Sequence, residues 1–330
     1  MRIGIGVSED LTILRQQQVA KDVEAAGFAS LWTNEAAGRD ALLVCQAWGA
    51  VTRRLQVGIG VVPIWTRSAM QLAMATATLQ EATDGRFLLG LGVSHPATMQ
   101  PWHGADWRRP VTAAEDTLAI LRTLLAGEVV DHGRGVRVAT KVKLRISPRP
   151  PHGGLYLAAM GPKMLALGGK SADGVLLNWS SPTEVVRARD IVERAAVDAG
   201  RPCPEVATYV RIAVDTDPRR ARAALAREVG TYCALPAYAA HFERQGLGAM
   251  VAAAKQAFHD GGADAVPAAL ADDDLRRVGW WGSPSDDPEP VLRDYRMAGL
   301  DHLVARVVVS DDVEASVGAV IGALPGELSA

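Results

Sequence analysis

Cysteine is scarce and unpatterned in these 330 residues: Cys45, Cys203 and Cys233 are odd in number and share no short spacing. That argues against a disulfide framework and a zinc knuckle, and it fits a reducing compartment. An excess of positive charge is also missing. With 35 basic and 37 acidic residues the net charge is −2, so the chain lacks the footprint of a nucleic-acid binder. No apolar run approaches the ~18 residues a membrane span needs. The chain opens on the strand-like MRIGIGV where a secreted protein would carry a signal peptide. Neither a GxxxxGK(S/T) phosphate loop nor a GxSxG elbow occurs. The seven histidines show no metal-ligand spacing, and GIG at 4–6 lacks the third glycine of a dinucleotide fingerprint. Lysine occurs six times, leaving arginine to supply 29 of the 35 basic residues. Arginine codons are rich in G and C, so that bias reads as genome composition. The expectation is a cytoplasmic protein with no metal, no membrane and no nucleic-acid partner.

What is present is a rhythm. Short apolar runs at Ile3–Val7, Ser30–Thr33, Gln56–Val62 and Arg86–Gly92 alternate with helical patterns at 10–26, 40–52 and 70–82. Leu118, Leu121 and Leu125 mark a further helix. The second half repeats the pattern: a strand at Leu155–Ala159, a helix opened by Pro162, and a strand at Val175–Asn178. One helix face then follows at Val185, Ala188, Val192 and Ala195, with strands at Val206–Val214 and His302–Val309. Eight strands separated by helices predict a parallel sheet, and eight such units closing on themselves make a TIM (β/α)8 barrel. A doubly wound open sheet is the alternative. The length beyond a ~250-residue barrel core falls at about 94–153 and 216–290. Neither stretch has linker composition, apart from SPSDDPEP at 283–290, so both read as insertions into a single domain spanning 1–330.

In such a barrel the chemistry sits at the C-terminal ends of the strands. Three of those ends carry glycine-rich signals. In AAMGPKM at 158–164 a strand ends, Gly161 lets the backbone approach closely, and Pro162–Lys163 start a helix whose N–H groups face the mouth. This is a phosphate seat or an ordinary strand-to-helix turn. GLGVSH at 90–95 places Ser94 and His95 at the mouth, with Gly90 and Gly92 serving a ligand or making room for neighbours. GIGVVP at 58–63 ends a strand on a bulge or on close packing. DGR at 84–86 lies at the opposite end of its strand and reads as turn and stability. Tryptophan outnumbers phenylalanine eight to four. Trp65, Trp102, Trp107 and Trp179 fall at strand ends or in the first insertion, and Trp280–Trp281 fall in the second. They read as flat walls of a substrate pocket or as plain core.

Taken together, these stretches resemble the bacterial luciferase-like flavin and deazaflavin oxidoreductases over most of the barrel. The run from Arg67 to Gly92 follows the family's arginine, helix, Gly-Arg, Gly-x-Gly arrangement. AAMGPKMLALGGKSADGVLLN at 158–178 is closer still to the coenzyme F420-dependent, methylenetetrahydromethanopterin reductase-like branch, and DYRMAGLDHLV at 294–304 also fits.

The resemblance implies a deazaflavin across the barrel mouth, its phosphate held by backbone N–H groups of Ala159, Met160, Gly161 and Lys163. It implies a non-prolyl cis peptide at Gly60–Val61 that backs the central ring, with Asn34, Gly92 and Ser94 also touching the cofactor. Hydride then passes between coenzyme F420 and a small organic substrate, and a homodimer is the family habit. Relatives often carry an acidic–histidine pair where this chain has Asn34 and Glu35, so Glu35 and His95 are the candidate acid–base residues. Two alternatives stand: an FMN-dependent luciferase-like monooxygenase, and a non-catalytic flavin-binding paralogue.

Overall fold

The computed structural model describes residues 1–8, 11–146 and 154–326. The expected helix start at residue 10 and the end of the first insertion at 147–153 lie outside the described residues. Eight strands form the barrel: β1 (Arg2–Gly6), β2 (Ser30–Thr33), β3 (Gln56–Pro63), β4 (Phe87–Gly92), then, after a hairpin of β5 (Val130–His132) and β6 (Ala139–Val142), β7 (Leu155–Ala158), β8 (Gly174–Asn178) and β9 (Glu205–Val214), and finally, beyond the short β10 (Gly279–Gly282), β11 (His302–Val307). All barrel neighbours pair in parallel, and β9 bonds to both β8 and β11 while β11 bonds to β1. The sheet closes, and the fold is a TIM barrel.

The residue pattern explains the closure. In β4 the run FLLGLG is buried throughout, as a parallel strand covered on both faces requires. Its outward side chains join the helix-facing core, while Leu88 points inward with Trp32, Tyr156, Leu176, Tyr209 and Val304. Trp32 fills the barrel axis and meets Tyr156 edge-on at 5.6 Å and Tyr209 at 6.5 Å. A Cβ on Gly58 would lie 2.6 Å from the Trp32 ring, so glycine there is what admits the indole.

Helix starts follow local chemistry. Thr12 and Asp40 cap the helices Ile13–Ala25 and Ala41–Gly49, and Ser68 with Gln71 forms a reciprocal capping box for Ala69–Ala82. The DGR stretch does what its position suggests. Asp84 and Gly85 take positive φ, and Arg86 reaches back to the carbonyls of Leu55 at 2.6 Å and Thr52 at 3.1 Å.

The first insertion holds the helix Pro96–His103, the barrel helix Pro110–Leu125 and the β5–β6 hairpin. The second contributes the helices Pro218–Cys233, Pro236–Arg244 and Gly248–Gly261 and has its own apolar core around Phe242 and Met250. Neither the hairpin nor β10 is foreseen by the sequence reading. β9 has ten residues and outruns β8, which ends at the Asn178–Tyr209 pair; β10 covers the exposed edge from Arg211 to Val214. Trp280 and Trp281 lie in β10 and are buried.

Candidate active site

A cavity of about 360 Å³ opens at the C-terminal ends of β3, β4, β7, β8 and β9 and is roofed by Ala237 and Tyr238 of the helix Pro236–Arg244. One wall is β3. The Gly60–Val61 peptide is cis, and the register with β4 slips between Ile59 and Val62, so the strand bulges into the mouth. Tyr209 and Leu176 press against this bulge: a Cβ on Gly60 would overlap Tyr209 Oη and lie 2.6 Å from Leu176 Cδ2. A Cβ on Gly92 would overlap Val61 Cγ2. Close packing around the bulge and access to the cavity therefore coincide at both glycines, which line the cavity with Val61.

The opposite wall is the turn after β7. Gly161 is the N-cap of the helix Pro162–Ser171, with φ −97° and no side-chain cap. Among the described residues the N–H groups of Met160, Gly161 and Lys163 make no internal hydrogen bond. Nothing lies within 4 Å of where a Gly161 Cβ would stand. Ala159 differs, since its N–H donates to Leu176 O at 3.1 Å; it contributes wall, not a free donor. Lys163 is exposed beside the turn, and Arg244 Nη2 reaches Met160 O at 3.4 Å. Open amides, a helix N-terminus, an unfilled glycine and two cations make a cradle that fits a phosphate.

The other residues named from sequence divide. Ser94 and His95 line the cavity, and His95 also caps the helix Pro96–His103, its Nδ1 accepting from Ala97 N at 3.2 Å. Trp65 and Trp107 both donate their indole N–H to Val93 O at 2.9 Å. Trp107 lines the cavity, whereas Trp65 faces two neighbouring clefts beside Arg137. Trp102 stands 53% exposed, away from the cavity. Trp179 is fully buried with Phe242 and Tyr232, beneath the Arg211 guanidinium, so it packs the second core and does not line this cavity.

Asn34 and Glu35 also stand off the cavity wall. Glu35 N donates to Val61 O at 3.3 Å, while its carboxylate accepts from Arg67 Nη1 at 2.6 Å and Thr66 Oγ1 at 3.2 Å. The position that suggested an acid–base group thus holds a carboxylate engaged by an arginine.

Among the polar residues of the cavity, Asn178, Tyr209 and Tyr238 are not candidate site residues of the sequence reading. Asn178 had a signal, as the last residue of a strand. Tyr209 needed the inward phase of β9, and Tyr238 arrives from an insertion that carries no motif. Burial pushes the Tyr209 phenol well above its ordinary value, and burial followed by the neighbouring Tyr232 pushes Tyr238 up to about 12. Both are neutral donors near pH 7.

Fold and cleft together define a TIM-barrel protein with a candidate active site at the C-terminal ends of its strands. The family model for luciferase-like monooxygenases matches residues 2–302, and the chain belongs to that family. Its similarity falls on the coenzyme F420-dependent branch. The chain is 32% identical over 229 residues to the 5,10-methylenetetrahydromethanopterin reductase of Methanolobus tindarius, covering 68% of this chain and 69% of that one. It is 27% identical over 325 residues to the enzyme of the same name from Archaeoglobus fulgidus, covering 96% of each. Among solved structures, the coenzyme F420-dependent tetrahydromethanopterin reductase of Methanopyrus kandleri superposes with a TM-score of 0.83 at 22% identity, covering 97% of this chain and 98% of that one. An F420-dependent secondary alcohol dehydrogenase gives 0.77 at 18% identity, with 98% of each chain covered. These structural likenesses establish the fold.

Proposed function

We propose that the protein is a coenzyme F420-dependent oxidoreductase that transfers hydride between the deazaflavin and a small organic substrate. The observation that carries this reading is the uncapped, unfilled cradle at Met160–Lys163, opening into a mainly apolar slot backed by the Gly60–Val61 bulge. The names of the curated relatives point the same way. The N–H groups of Met160, Gly161 and Lys163 would hold the phosphate, with Lys163 and Arg244 adding charge. Val61 would back the ring, with Gly92 and Ser94 along its edge. Bound there, the deazaflavin supplies or accepts the hydride, and the chain contributes anchorage, orientation and protons. Of the two acid–base candidates named from sequence, His95 stands on the cavity wall and Glu35 behind the bulge.

The test is a fluorescence titration of the purified protein with the deazaflavin and, separately, with reduced FMN. The deazaflavin is expected to bind at least about tenfold more tightly, 1.4 kcal/mol. Tight binding of reduced FMN without deazaflavin binding overturns the assignment in favour of a monooxygenase. Turnover of any acceptor eliminates a binding-only role. We further place the protein in the cytoplasm as a homodimer, a state that light scattering measures directly. Among the described residues no helix is long and apolar enough to cross a membrane.

A further inference from the structure

Arg211 is buried at the barrel mouth, its guanidinium carbon 3.8 Å from the centroid of the Trp179 ring. Its Nε donates to Glu228 Oε1 at 3.0 Å, and its Nη1 donates to Asn178 Oδ1. A guanidinium carries donors and no acceptor, so the Asn178 amide has one allowed orientation: oxygen toward Arg211, nitrogen away. That nitrogen donates to Tyr238 Oη at 3.0 Å. The Tyr238 phenol is thereby made an acceptor on one side, and its single proton is left for another partner. Among the described residues it donates to none, and Tyr238 lines the cavity with Asn178. A buried cation thus polarises a short chain of hydrogen bonds that ends on the phenol of a cavity-lining residue.

We propose that Tyr238 donates a hydrogen bond, and during turnover its proton, to the carbonyl oxygen of a neutral ketone or aldehyde substrate. Asn178 and Arg211 act as positioning residues. This rests on the hydride-transfer reading above. The cavity lining contains no Asp, Glu, Lys or Arg, which suits an uncharged compound whose one polar feature is the carbonyl. Hydride reaches the carbonyl carbon, the C=O π pair moves onto oxygen, and the Tyr238 O–H bond breaks as the alcohol O–H forms. The substrate gains the two electrons that the reduced deazaflavin would supply as hydride, and solvent returns the proton to Tyr238. A phenol with its pKa near 12 stays protonated at neutral pH and is still a stronger acid than an alcohol, so it can deliver.

Two variants test this with cyclohexanone as the probe. Tyr238→Phe removes the donor. Asn178→Asp keeps an acceptor for Arg211 but offers Tyr238 a second carboxylate oxygen, which takes the phenol proton away from the cavity while the ring remains. The first readout is the infrared C=O stretch of carbon-13-labelled cyclohexanone bound to the protein with oxidised deazaflavin. It is expected at lower wavenumber in the wild type and at its apolar-solvent position in both variants. The second is single-turnover oxidation of bound reduced deazaflavin by cyclohexanone, expected to slow about 100-fold or more in both, with deazaflavin affinity held within about threefold. An unshifted wild-type stretch, or the same stretch or rate in the wild type and Tyr238→Phe, overturns the role of Tyr238 and leaves the cofactor assignment standing. Failure of the wild type to bind deazaflavin overturns the assignment itself.

Discussion

Glu35 and Arg67 form an ion pair at 2.6 Å behind the β3 bulge, joining the loops that follow β2 and β3. Arg67 bridges onward to Asp40 at 2.6 Å, and Glu35 Oε2 is buried without a partner. The pair ties the end of β2 to the bulge, a structural duty at a position that the family resemblance had suggested for proton transfer.

Glu35→Gln is therefore expected to lower stability by about 2 kcal/mol, because a half-buried guanidinium loses one of its two charged partners. Chemical denaturation reads this directly. The deazaflavin dissociation constant, followed by fluorescence, is expected to move by less than about threefold. A variant of full stability with a turnover defect would return Glu35 to the acid–base role.

Gly161→Val tests the cradle. The backbone at φ −97° accepts any residue and a Cβ would meet nothing within 4 Å, so the melting temperature should hold. Deazaflavin affinity should fall about 10- to 100-fold, the loss of one charge-assisted hydrogen bond or so. Near-normal affinity would falsify the phosphate assignment.

Gly60→Ala puts a methyl group into Tyr209 and Leu176. Overpacking of this kind costs about 1–3 kcal/mol, and any relief that pushes the Tyr209 ring aside fills the cavity. Loss of both stability and deazaflavin binding is the expected outcome. Adding Tyr209→Phe, which removes the overlapping oxygen, should recover part of each.

His95 offers a separation of roles. Its Nδ1 accepts from Ala97 N, so the neutral ring carries its proton on Nε2. His95→Ala should cost about 1 kcal/mol as a lost N-cap, and His95→Asn should restore it. If turnover stays low in the Asn variant while stability returns, the imidazole itself handles a proton.

Acid stability should report on the floor of the barrel. Glu205 accepts from Tyr156 Oη at 2.8 Å, meets His302 Nδ1 at 3.1 Å and pairs with Arg2. Although burial opposes its charge, the His302 and Arg2 contacts prevail and hold the carboxyl at about 2, below its ordinary 4.5. Because the folded value is depressed, this stabilisation is complete above the ordinary value and is lost as pH falls toward 2. It amounts to about 3 kcal/mol near neutrality. Urea unfolding of Glu205→Gln should show a deficit above pH 5 that closes between 4.5 and 2; a deficit independent of pH would point to packing.

Much of the barrel was legible because its signals are local. Alternation of apolar runs with helical periods places eight parallel strands, and caps such as Ser68 and Asp40 start helices within a few residues of where the pattern puts them. The glycines at 60, 92 and 161 were legible for the same reason, since each sits where a strand ends. The β5–β6 hairpin and β10 were not. β5 and β6 are short, largely exposed segments without an apolar run, and β10 exists only because β9 outlasts β8.

The amino-acid sequence alone determined the closed parallel barrel, the rim that holds the cleft and the backbone turn suited to an anion, because periodicity, capping and glycine placement act between near neighbours. Tertiary structure decided which side chains face that cleft. Glu35 is drawn away by Arg67, Trp179 is covered by Arg211, and Tyr238 is brought to Asn178 across 60 residues of chain. Charge pairing and burial operate between groups that only folding brings together, so no stretch of sequence carries that assignment.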